Sequence, residues 1–461
     1  MRKGLHFVSL GCPKNLVDSE MMLGQLLKSD YEMVTEADGA HTAVVNTCGF
    51  IEDAKKESIE KIIELARLKT DGKLKKLVVA GCLAQRYKAD LANEIPEADV
   101  VIGAGEFQKL GDILRDHRDG QQYRGQFHLP TFLQVEDTPR VNSEPFYRAY
   151  LKISEGCKKR CAFCAIPVIR GDLQSRKLKS ILTEAKLLVA GGVREINVIS
   201  HDFTDFGLDI RQSDPTAIEN PVSLLQGLSD VPGLDWIRVL YLYPDGVSPE
   251  LIGLIRDRPN LVKYFDMPLQ HVTDRMLRRM NRKTTRDQIE ATLNLIREEI
   301  PQAVIRTQFI VGFPGETEED FLSLLEFIKS QRFDRVGCFK YSREEQTGGY
   351  RMQDQVDEDI KEDRHNRLME LQQGISREKH AAMVGRTISV ILDGVSEETD
   401  LLLQGRSSQQ APGIDGVVYI NEGVGNVGDI VKVQITDSHD YDLVGSIIGP
   451  SQTYIDNRSQ C

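Results

Sequence analysis

The 461-residue sequence contains no run of 18 or more apolar residues, and it therefore predicts no membrane-spanning helix. Its basic N-terminus is followed by an apolar stretch, but Gly11, Cys12 and Pro13 end that stretch too early for a secretion signal. The nine histidines form no H-E-x-x-H pattern, so they do not indicate zinc-dependent hydrolysis. Excess positive charge is also lacking, because the net charge is −12, and this opposes a general role in coating nucleic acid.

The composition is that of a globular protein with several domains. Apolar residues make up 40% of the chain and charged residues 28%, which is typical of soluble proteins. The length exceeds that of one ordinary core, so two to four domains are expected. Eight cysteines without a secretion signal indicate metal binding in a reducing compartment, expected to be the cytoplasm, rather than a disulfide framework.

The densest group of cysteines is a C-x3-C-x2-C motif formed by Cys157, Cys161 and Cys164. Thiolates are soft ligands that suit iron–sulfur clusters or zinc. A structural zinc site needs a fourth ligand, and no nearby Cys or His supplies one. Three thiolates on a four-iron cluster leave one iron free for a small molecule. The motif therefore favours a 4Fe–4S cluster with an open iron, and a zinc loop or three unrelated thiols are the alternatives.

Residues 1–120 alternate strand and helix patterns, which indicates a parallel α/β domain with helices on both faces of its sheet. The predicted strands cover residues 5–10, 42–46 and 76–80. Cys12, Cys48 and Cys82 follow these strands, each beside a glycine. Because ligands bind at the carboxyl edge of an open parallel sheet, the three thiols are predicted to form a second three-cysteine metal site. The alternative is that each is an ordinary buried cysteine.

Residues 143–375 repeat the strand and helix patterns, and six strands with helical crossovers predict a partial (β/α)6 barrel. The predicted strands cover residues 149–154, 195–200, 236–242, 264–268, 304–311 and 335–341. The C-x3-C-x2-C motif then lies in the loop after the first of these strands. That loop belongs to the carboxyl face of the barrel, where such barrels place their chemistry.

The remaining segments are a linker, a small C-terminal domain and a tail. Residues 121–142 have little periodicity and are predicted to link the first two domains. Residues 376–448 carry short strand patterns separated by Gly- and Asp-rich turns, which predicts a small antiparallel β-barrel. Residues 423–428 match G-x-G-x-x-G, but no helix pattern follows them, so a turn is predicted. Residues 449–461, which end in Cys461, are predicted to be a loose tail.

The C-x3-C-x2-C spacing, with Phe163 just before the last cysteine, resembles the radical S-adenosylmethionine (SAM) superfamily. The resemblance implies that the open iron binds SAM and that Phe163 lies near the adenine. Gly191, Gly192 and Glu195 resemble the Gly-Gly-Glu motif of the superfamily, with two residues inserted before the acid, and are expected to bind SAM. Residues 312–317 read G-F-P-G-E-T and resemble another superfamily loop, whose glycines let the backbone approach a ligand.

The order of the three domains resembles the methylthiotransferase family over nearly the whole chain. That family combines a three-cysteine domain, a radical SAM barrel and a TRAM domain, and the branch that modifies a ribosomal protein is the most similar. The similarity is carried by SLGCPKNLVDSE at residues 9–20, ISEGC at 153–157, IPVIRG at 166–171 and MPLQH at 267–271. One departure is His201, because the family commonly has Gln before Asp202.

The resemblance implies a methylthiotransferase with two 4Fe–4S clusters, which adds a methylthio group to the β-carbon of an aspartate in the twelfth small-subunit ribosomal protein. One SAM supplies the methyl group, and another is cleaved reductively to a deoxyadenosyl radical that abstracts a hydrogen from the substrate. The N-terminal cluster delivers sulfur, and a reductant is required. The alternatives are methylthio transfer to a tRNA adenosine, as in sister branches, and a non-catalytic electron carrier, whose clusters would normally be fully ligated by cysteine.

Charge favours the protein substrate over tRNA. Residues 381–461 include eleven acidic and four basic side chains, a net charge of −7. Phosphate contacts dominate nucleic-acid affinity, so a domain that binds tRNA should be basic. An acidic domain attracts a basic ribosomal protein instead. We therefore expect the C-terminal domain to bind the ribosomal protein, and the alternative is a merely solvated acidic surface.

Overall fold

The computed structural model of the protein describes residues 2–449 except positions 119, 132, 136 and 137. The predicted tail beyond residue 449, including Cys461, lies outside the described residues. Within the described ranges, no helix combines the length and the apolar character that crossing a membrane requires.

Six parallel strands and four helices form the N-terminal domain. The strands are β1 (Lys3–Ser9), β2 (Tyr31–Met33), β3 (Thr42–Thr47), β4 (Lys76–Gly81), β5 (Val100–Val101) and β6 (Tyr123–Arg124). The helices are α1 (Pro13–Leu27), α2 (Glu52–Thr70), α3 (Cys82–Glu94) and α4 (Leu110–Asp116), and a 3-10 turn spans Phe107–Lys109. The strands pair in the order β2-β1-β3-β4-β5-β6, and the predicted parallel α/β fold is confirmed.

Burial on both faces explains the apolar strand patterns of this sheet. β3 and β4 are buried along their whole length. Val44 and Val78 pack in one apolar core, whereas Val45 and Val79 pack in another, because successive side chains of a strand point to opposite faces. β2, β5 and β6 are only two or three residues long, which is too short for a periodic signal. As a result, β6 lies inside the segment that the sequence predicts as a linker.

The central domain is built on a second parallel sheet. Its strands are β7 (Arg148–Lys152), β8 (Ser154–Glu155), β9 (Gln174–Ser175), β10 (Glu195–Ile199), β11 (Trp236–Val239), β12 (Leu261–Asp266), β13 (Val304–Val311) and β14 (Arg335–Lys340). Six of them pair in the order β14-β13-β12-β11-β10-β7, while β8 pairs only with β9. This open sheet of six parallel strands confirms the predicted partial barrel.

The central domain also contains helices, several of which enclose an extensive apolar core together with the sheet. They are α5 (Ile166–Arg170), α6 (Leu178–Ala190), α7 (Leu208–Ser213), α8 (Pro221–Ser229), α9 (Pro249–Asp257), α10 (Asp274–Arg279), α11 (Arg286–Glu299) and α12 (Glu318–Gln331), with 3-10 turns at Pro244–Gly246 and Gly349–Arg351. Capping boxes begin α8, α11 and α12, at Asn220, Thr285 and Thr317. These caps satisfy amide groups that a helix start leaves without partners.

Helix α13 (Glu358–Ala381) leads into a closed five-stranded barrel. The strands are β15 (Thr387–Val395), β16 (Leu403–Ser407), β17 (Val418–Glu422), β18 (Ile430–Ser438) and β19 (Leu443–Ile447). They close in the order β15-β16-β17-β19-β18, and every pair is antiparallel except β17 with β19. Residues 423–428 connect β17 directly to β18, so the predicted turn is confirmed.

One apolar core extends through all three domains. Its members include Val17, Trp236, Tyr264, Ile391 and Ala411. The segment predicted as a linker is also packed, because Arg140 is buried between Glu20 of α1 and Glu184 of α6, at 2.6 and 2.5 Å. The three domains therefore share interior contacts.

Candidate active site

Cys12, Cys48 and Cys82 lie just beyond three neighbouring strands. Cys12 precedes α1, Cys48 follows β3, and Cys82 begins α3 directly after β4. β3 pairs in parallel with both β1 and β4, so the carboxyl ends of the three strands share one edge of the sheet. The structure thus brings the three cysteines to the edge where the sequence places them, and their role as metal ligands remains a prediction.

Two glycines let the three cysteine-bearing turns touch. Gly11 has a φ of +90°, and a Cβ on it would lie 2.8 Å from Cβ and 3.0 Å from Sγ of Cys48. A Cβ on Gly49 would lie 2.9 Å from the carbonyl oxygen of Cys82. Glycine permits both this conformation and this spacing because it has no Cβ. The turn of Cys12 therefore contacts Cys48, and the turn after Cys48 contacts Cys82.

Burial disfavours ionisation of two of these thiols, those of Cys48 and Cys82. It raises the pKa of Cys48, and it raises the pKa of Cys82 to about 12 although Arg170 opposes the shift. A metal centre must displace the protons, because thiolates are the ligands. In the described part of the chain, no three His, Cys, Asp or Glu side chains are grouped so that they could hold a single metal ion. An iron–sulfur cluster distributes its thiolates over several irons, so this donor set fits a cluster.

The C-x3-C-x2-C motif occupies the loop between β8 and β9, at the carboxyl end of β7. The pairing of β8 with β9 and a 3.1 Å hydrogen bond from the Cys157 amide to the Gly171 carbonyl close the base of this loop. Within it, the Cys164 amide donates to the Cys161 carbonyl at 3.0 Å. Burial raises the pKa of Cys157 to about 11 and also raises the pKa of Cys164. The loop is compact, and its three thiols fit the predicted cluster.

Phe163 packs in a small apolar cluster beside the cysteine loop. The other members are Ala162, Met276, Met280, Ile310, Phe313, Tyr341 and Met352. Phe163 is only partly buried, so part of its ring is accessible at the carboxyl end of the sheet. This position agrees with a contact to adenine, which remains a prediction.

One glycine of the G-F-P-G-E-T stretch, Gly312, allows the barrel to pack closely against α13. Gly312 has a φ of +71°, and a Cβ on it would lie 2.2 Å from Cγ of Lys361 in α13. Glu316 is buried, accepts a 2.6 Å hydrogen bond from the Gly312 amide and pairs with Arg364 of α13 at 2.7 Å. The close approach that was expected for a ligand is, in this structure, an approach to α13.

Gly191, Gly192 and Glu195 lie at the opposite edge of the sheet from the cysteine loop. Gly191 caps α6, and Glu195 is the first residue of β10, whereas the cysteine loop follows the carboxyl end of β7. Glu195 is fully buried and accepts hydrogen bonds from Arg406 of the C-terminal barrel at 2.8 and 3.1 Å. The structure therefore does not bring these three residues to the cysteine loop, where SAM is predicted to bind, and Glu195 contacts the C-terminal barrel instead.

The residues after β10 lie at the carboxyl edge of the sheet, beside the cysteine loop. The sequence motifs did not identify them as site residues. Asp202 and Asp205 are buried, and Nζ of Lys159 in the cysteine loop lies 3.5 Å from each carboxylate. It is Oδ2 of Asp202 that Nζ of Lys159 approaches, and this atom accepts no hydrogen bond from the described residues. Burial, together with the charge of Asp205, raises the pKa of Asp202 to about 6. The available signal was position, because Asp202 comes two residues after a predicted strand.

The two cysteine sites face each other across the boundary between the first two domains. Cys82 packs against Ala165 and Ile169, close after Cys164. Arg170, the last residue of α5, donates a 3.1 Å hydrogen bond to Sγ of Cys82. A single short helix therefore connects the barrel motif with the N-terminal cysteines.

An open parallel sheet with this cysteine loop at its carboxyl end defines a radical SAM enzyme, which uses a 4Fe–4S cluster and SAM. Residues 151–328 match the model of the Radical SAM superfamily. Residues 4–103 match "Uncharacterized protein family UPF0004", and residues 384–448 match the TRAM domain. The predicted fold class is confirmed for all three domains.

Curated relatives narrow this class to one family. The ribosomal protein uS12 methylthiotransferase RimO of Bdellovibrio bacteriovorus is 63% identical over 446 residues, which cover 97% of this chain and 98% of the relative. The RimO of Geobacter sulfurreducens is 48% identical and covers 97% of this chain and 99% of its own length. The chain therefore belongs to the RimO family of radical SAM methylthiotransferases. The predicted enzyme class is confirmed, which excludes the electron-carrier alternative.

Solved structures share the fold at low sequence identity. The radical SAM methyltransferase TsrM from Kitasatospora setae, with cobalamin and a [4Fe-4S] cluster bound, has a TM-score of 0.51 and 16% identity, covering 74% of this chain and 75% of its own. The cobalamin-dependent radical SAM enzyme OxsB has a TM-score of 0.51 and 12% identity, covering 71% of this chain and 52% of its own. At these identities the likeness concerns the fold alone.

Proposed function

We propose that this chain adds a methylthio group to the β-carbon of an aspartate in ribosomal protein uS12. The observation that carries the proposal is the packing of Cys82 against the residues that follow Cys164. A reaction that needs both a radical and a sulfur source at one carbon atom requires both centres within reach of one substrate. Membership in the RimO family supports uS12 as that substrate.

In this proposal each three-cysteine set holds one 4Fe–4S cluster. The ligands are Cys157, Cys161 and Cys164 for the barrel cluster, and Cys12, Cys48 and Cys82 for the second. When bound, the clusters and SAM supply the radical, the sulfur and the methyl group. Phe163 offers the adenine an apolar face, and the Oδ2 atom of Asp202 offers an acceptor to the cationic amino group of SAM.

Lys14 closes the boundary between the two sites. It follows Cys12 by two residues, yet its Nζ donates to the Ser200 carbonyl at 3.2 Å and lies 3.5 Å from the ring centroid of Tyr241. Burial and the charge of Lys14 hold the pKa of His201 well below its usual range, so this imidazole is neutral at physiological pH. Lys14 thus links the turn of Cys12 to the residues that follow β10 and β11.

The acidic surface of the C-terminal barrel supports a basic protein as the substrate. Three of its acids already pair with arginines of the same chain: Asp393, Asp415 and Asp440. Exposed acids remain in the β15–β16 loop and at the adjoining end of β17: Glu397, Glu398, Asp400 and Glu422. Two highly exposed apolar residues, Leu401 and Val424, lie within two residues of these acids in sequence. Such a surface suits a basic protein and repels phosphates.

The decisive experiment offers both substrates to the same enzyme. Reconstituted, reduced protein is incubated with SAM and either uS12 or tRNA, and each product is analysed by mass spectrometry. We expect a methylthio group on one aspartate of uS12 and no product on tRNA. A methylthio product on tRNA and none on uS12 would refute uS12 as the substrate and favour tRNA. The proposed reaction requires reduced clusters and a ribosomal substrate. Both conditions are met in the cytoplasm, where we propose that the reaction occurs.

Cysteine variants test the ligand assignment. Replacing Cys157, Cys161 and Cys164 with Ala should halve the iron content and abolish SAM cleavage. Replacing the three N-terminal cysteines should also halve the iron content but leave SAM cleavage intact. Cys338→Ala is the matched control, because Cys338 is buried in the apolar core of the central domain, and it should retain all iron. An N-terminal variant with undiminished iron would show that the second cluster does not exist.

A further inference from the structure

Arg170 belongs to the central domain, yet its guanidinium ends at a cysteine of the N-terminal domain. It is the last residue of α5 and is only 2% exposed. Its Nη2 atom donates to Sγ of Cys82 at 3.1 Å and to Oδ1 of Asn15 at 3.2 Å. Hydrogen bonds from charged donors are about twice as strong as neutral ones. The Cys82 sulfur therefore has a buried, charged donor supplied across the domain boundary.

Two carboxylates fix the orientation of this guanidinium. Nη1 of Arg170 lies 2.6 Å from Oδ2 of Asp18 and 3.3 Å from Oε2 of Glu155. Lys152 pairs with the same two acids, so two cations balance two anions. Because a guanidinium is a rigid planar fork, holding Nη1 directs Nη2 at the sulfur. The acids thus act as an outer shell that orients the donor.

A second buried arginine shows that burial in this domain does not by itself lead to a contact with sulfur. Arg176 is also 2% exposed and belongs to the same domain. Among the described residues its guanidinium donates to oxygens only, including Oε2 of Glu184 at 2.6 Å and the Lys152 carbonyl at 2.7 Å. Joining the domains requires only the carboxylate contacts of Arg170. Its additional contact is with the sulfur of a proposed cluster ligand.

We propose that Arg170 is a positioning residue that holds the Cys82 thiolate and raises the reduction potential of the N-terminal cluster. The inference rests on the proposed ligand role of Cys82. Hydrogen bonds to ligating sulfurs and local charge are among the properties that set cluster potentials. A cationic donor stabilises the more negative, reduced cluster. Because the donor comes from the domain that contains the barrel motif, the potential of the N-terminal cluster depends on how the two domains are docked.

The test uses full-length protein in which Cys157, Cys161 and Cys164 are Ala, so that one cluster remains. In this background, Arg170→Lys keeps the charge but loses the fork, and Arg170→Gln with Glu155→Gln removes a balanced pair of charges. Arg176→Gln with Glu184→Gln is the control, because it removes a buried Arg–Glu pair whose arginine bonds only oxygens. Iron content and the midpoint potential are measured for each protein, the latter by redox titration followed by electron paramagnetic resonance.

At the parent midpoint, we expect the ratio of reduced to oxidised cluster to fall about tenfold in the double variant, a shift of about 59 mV for a one-electron couple. In Arg170→Lys the midpoint potential should shift in the same direction but by less. If the double variant does not fold, the comparison of Arg170→Lys with the parent is the test. Midpoints equal to the parent, or an equal shift in the control, would overturn the inference. A parent background without iron would instead refute the proposed N-terminal cluster, so the two failures are distinguishable.

Discussion

Neutralising Glu195 should loosen the C-terminal barrel and leave SAM binding unchanged. The Glu195 carboxylate is fully buried, bonds both Nη atoms of Arg406 and lies 3.5 Å from Nη2 of Arg238. Among the described residues, Arg406 has one other acidic partner, Asp393, at 2.8 Å. Removing one member of a buried ion pair leaves the remaining charge poorly compensated. We therefore expect Glu195→Gln to lower the free energy of unfolding by about 3 kcal/mol.

The single tryptophan reports on this contact. Trp236 is the only tryptophan of the sequence and belongs to the apolar core that contains Ile391 and Ala411 of the C-terminal barrel. Urea titration followed by its fluorescence measures the loss of stability. Glu299→Gln is the control, because Glu299 forms an exposed pair with Arg256, and such pairs contribute roughly 0–1 kcal/mol. A loss no larger than in the control, or weaker SAM binding at unchanged stability, would refute the assignment of Glu195 to domain docking.

The same prediction has a pH dependence with a definite sign. Burial alone would raise the pKa of Glu195, but Arg406 and Arg238 together hold it below the ordinary value of 4.5. A carboxylate with a lowered pKa stabilises the fold at pH values above the pKa that the same group has in the unfolded chain. The stabilisation disappears as the pH falls through the folded-state pKa. The difference in stability between the parent and Glu195→Gln should therefore be constant near neutral pH and shrink below about pH 4.5.

Three further predictions test other parts of the site. Phe163→Ala should weaken SAM binding by about 1 kcal/mol through lost apolar and stacking contact, and unchanged affinity in equilibrium dialysis would move the adenine elsewhere. Gly11→Ala should halve the iron content while SAM cleavage persists, because its Cβ would meet Cys48; Gly72→Ala, with φ +75° and open space, is the control. The proposed docking surface consists of four exposed barrel acids: Glu397, Glu398, Asp400 and Glu422. Changing them to Lys should weaken the binding of uS12 and reduce the salt dependence of that binding. Unchanged binding in a salt series would contradict this surface.

The positions of the N-terminal cysteines were predictable because each follows a recognisable strand. The apolar runs of β3 and β4 are long enough to identify a buried strand, and the next residue of a parallel strand lies at the ligand-binding edge. The contacts between the turns were not predictable. That Gly11 touches Cys48 depends on β1 lying beside β3, and strand patterns do not specify the order of strands.

The assignment of SAM contacts to Gly191, Gly192 and Glu195 followed a local motif and took no account of its position in the fold. Gly191 and Gly192 precede β10, and the amino end of a parallel strand lies away from the ligand-binding edge. Asp202 follows β10 and therefore lies at the carboxyl edge, but it is not part of the glycine-rich motif. The true partner of Glu195 is Arg406, which is 211 residues away in sequence. Local spacing contains no information about such a contact, although an acid at the start of a buried strand requires a partner.

Charged pairs, rather than apolar contacts alone, join the first two domains around the cysteines. Arg170 pairs with Asp18 at 2.6 Å, and Arg86 pairs with Glu344 at 2.7 Å. Buried ion pairs of this kind contribute little net stability, because desolvation offsets much of the attraction. They do fix direction, since charge-assisted hydrogen bonds have defined geometry. In the proposed function the two sites act on the same carbon atom. Defined geometry then matters more than stability, because a misplacement of about 1 Å can slow a reaction roughly a hundredfold.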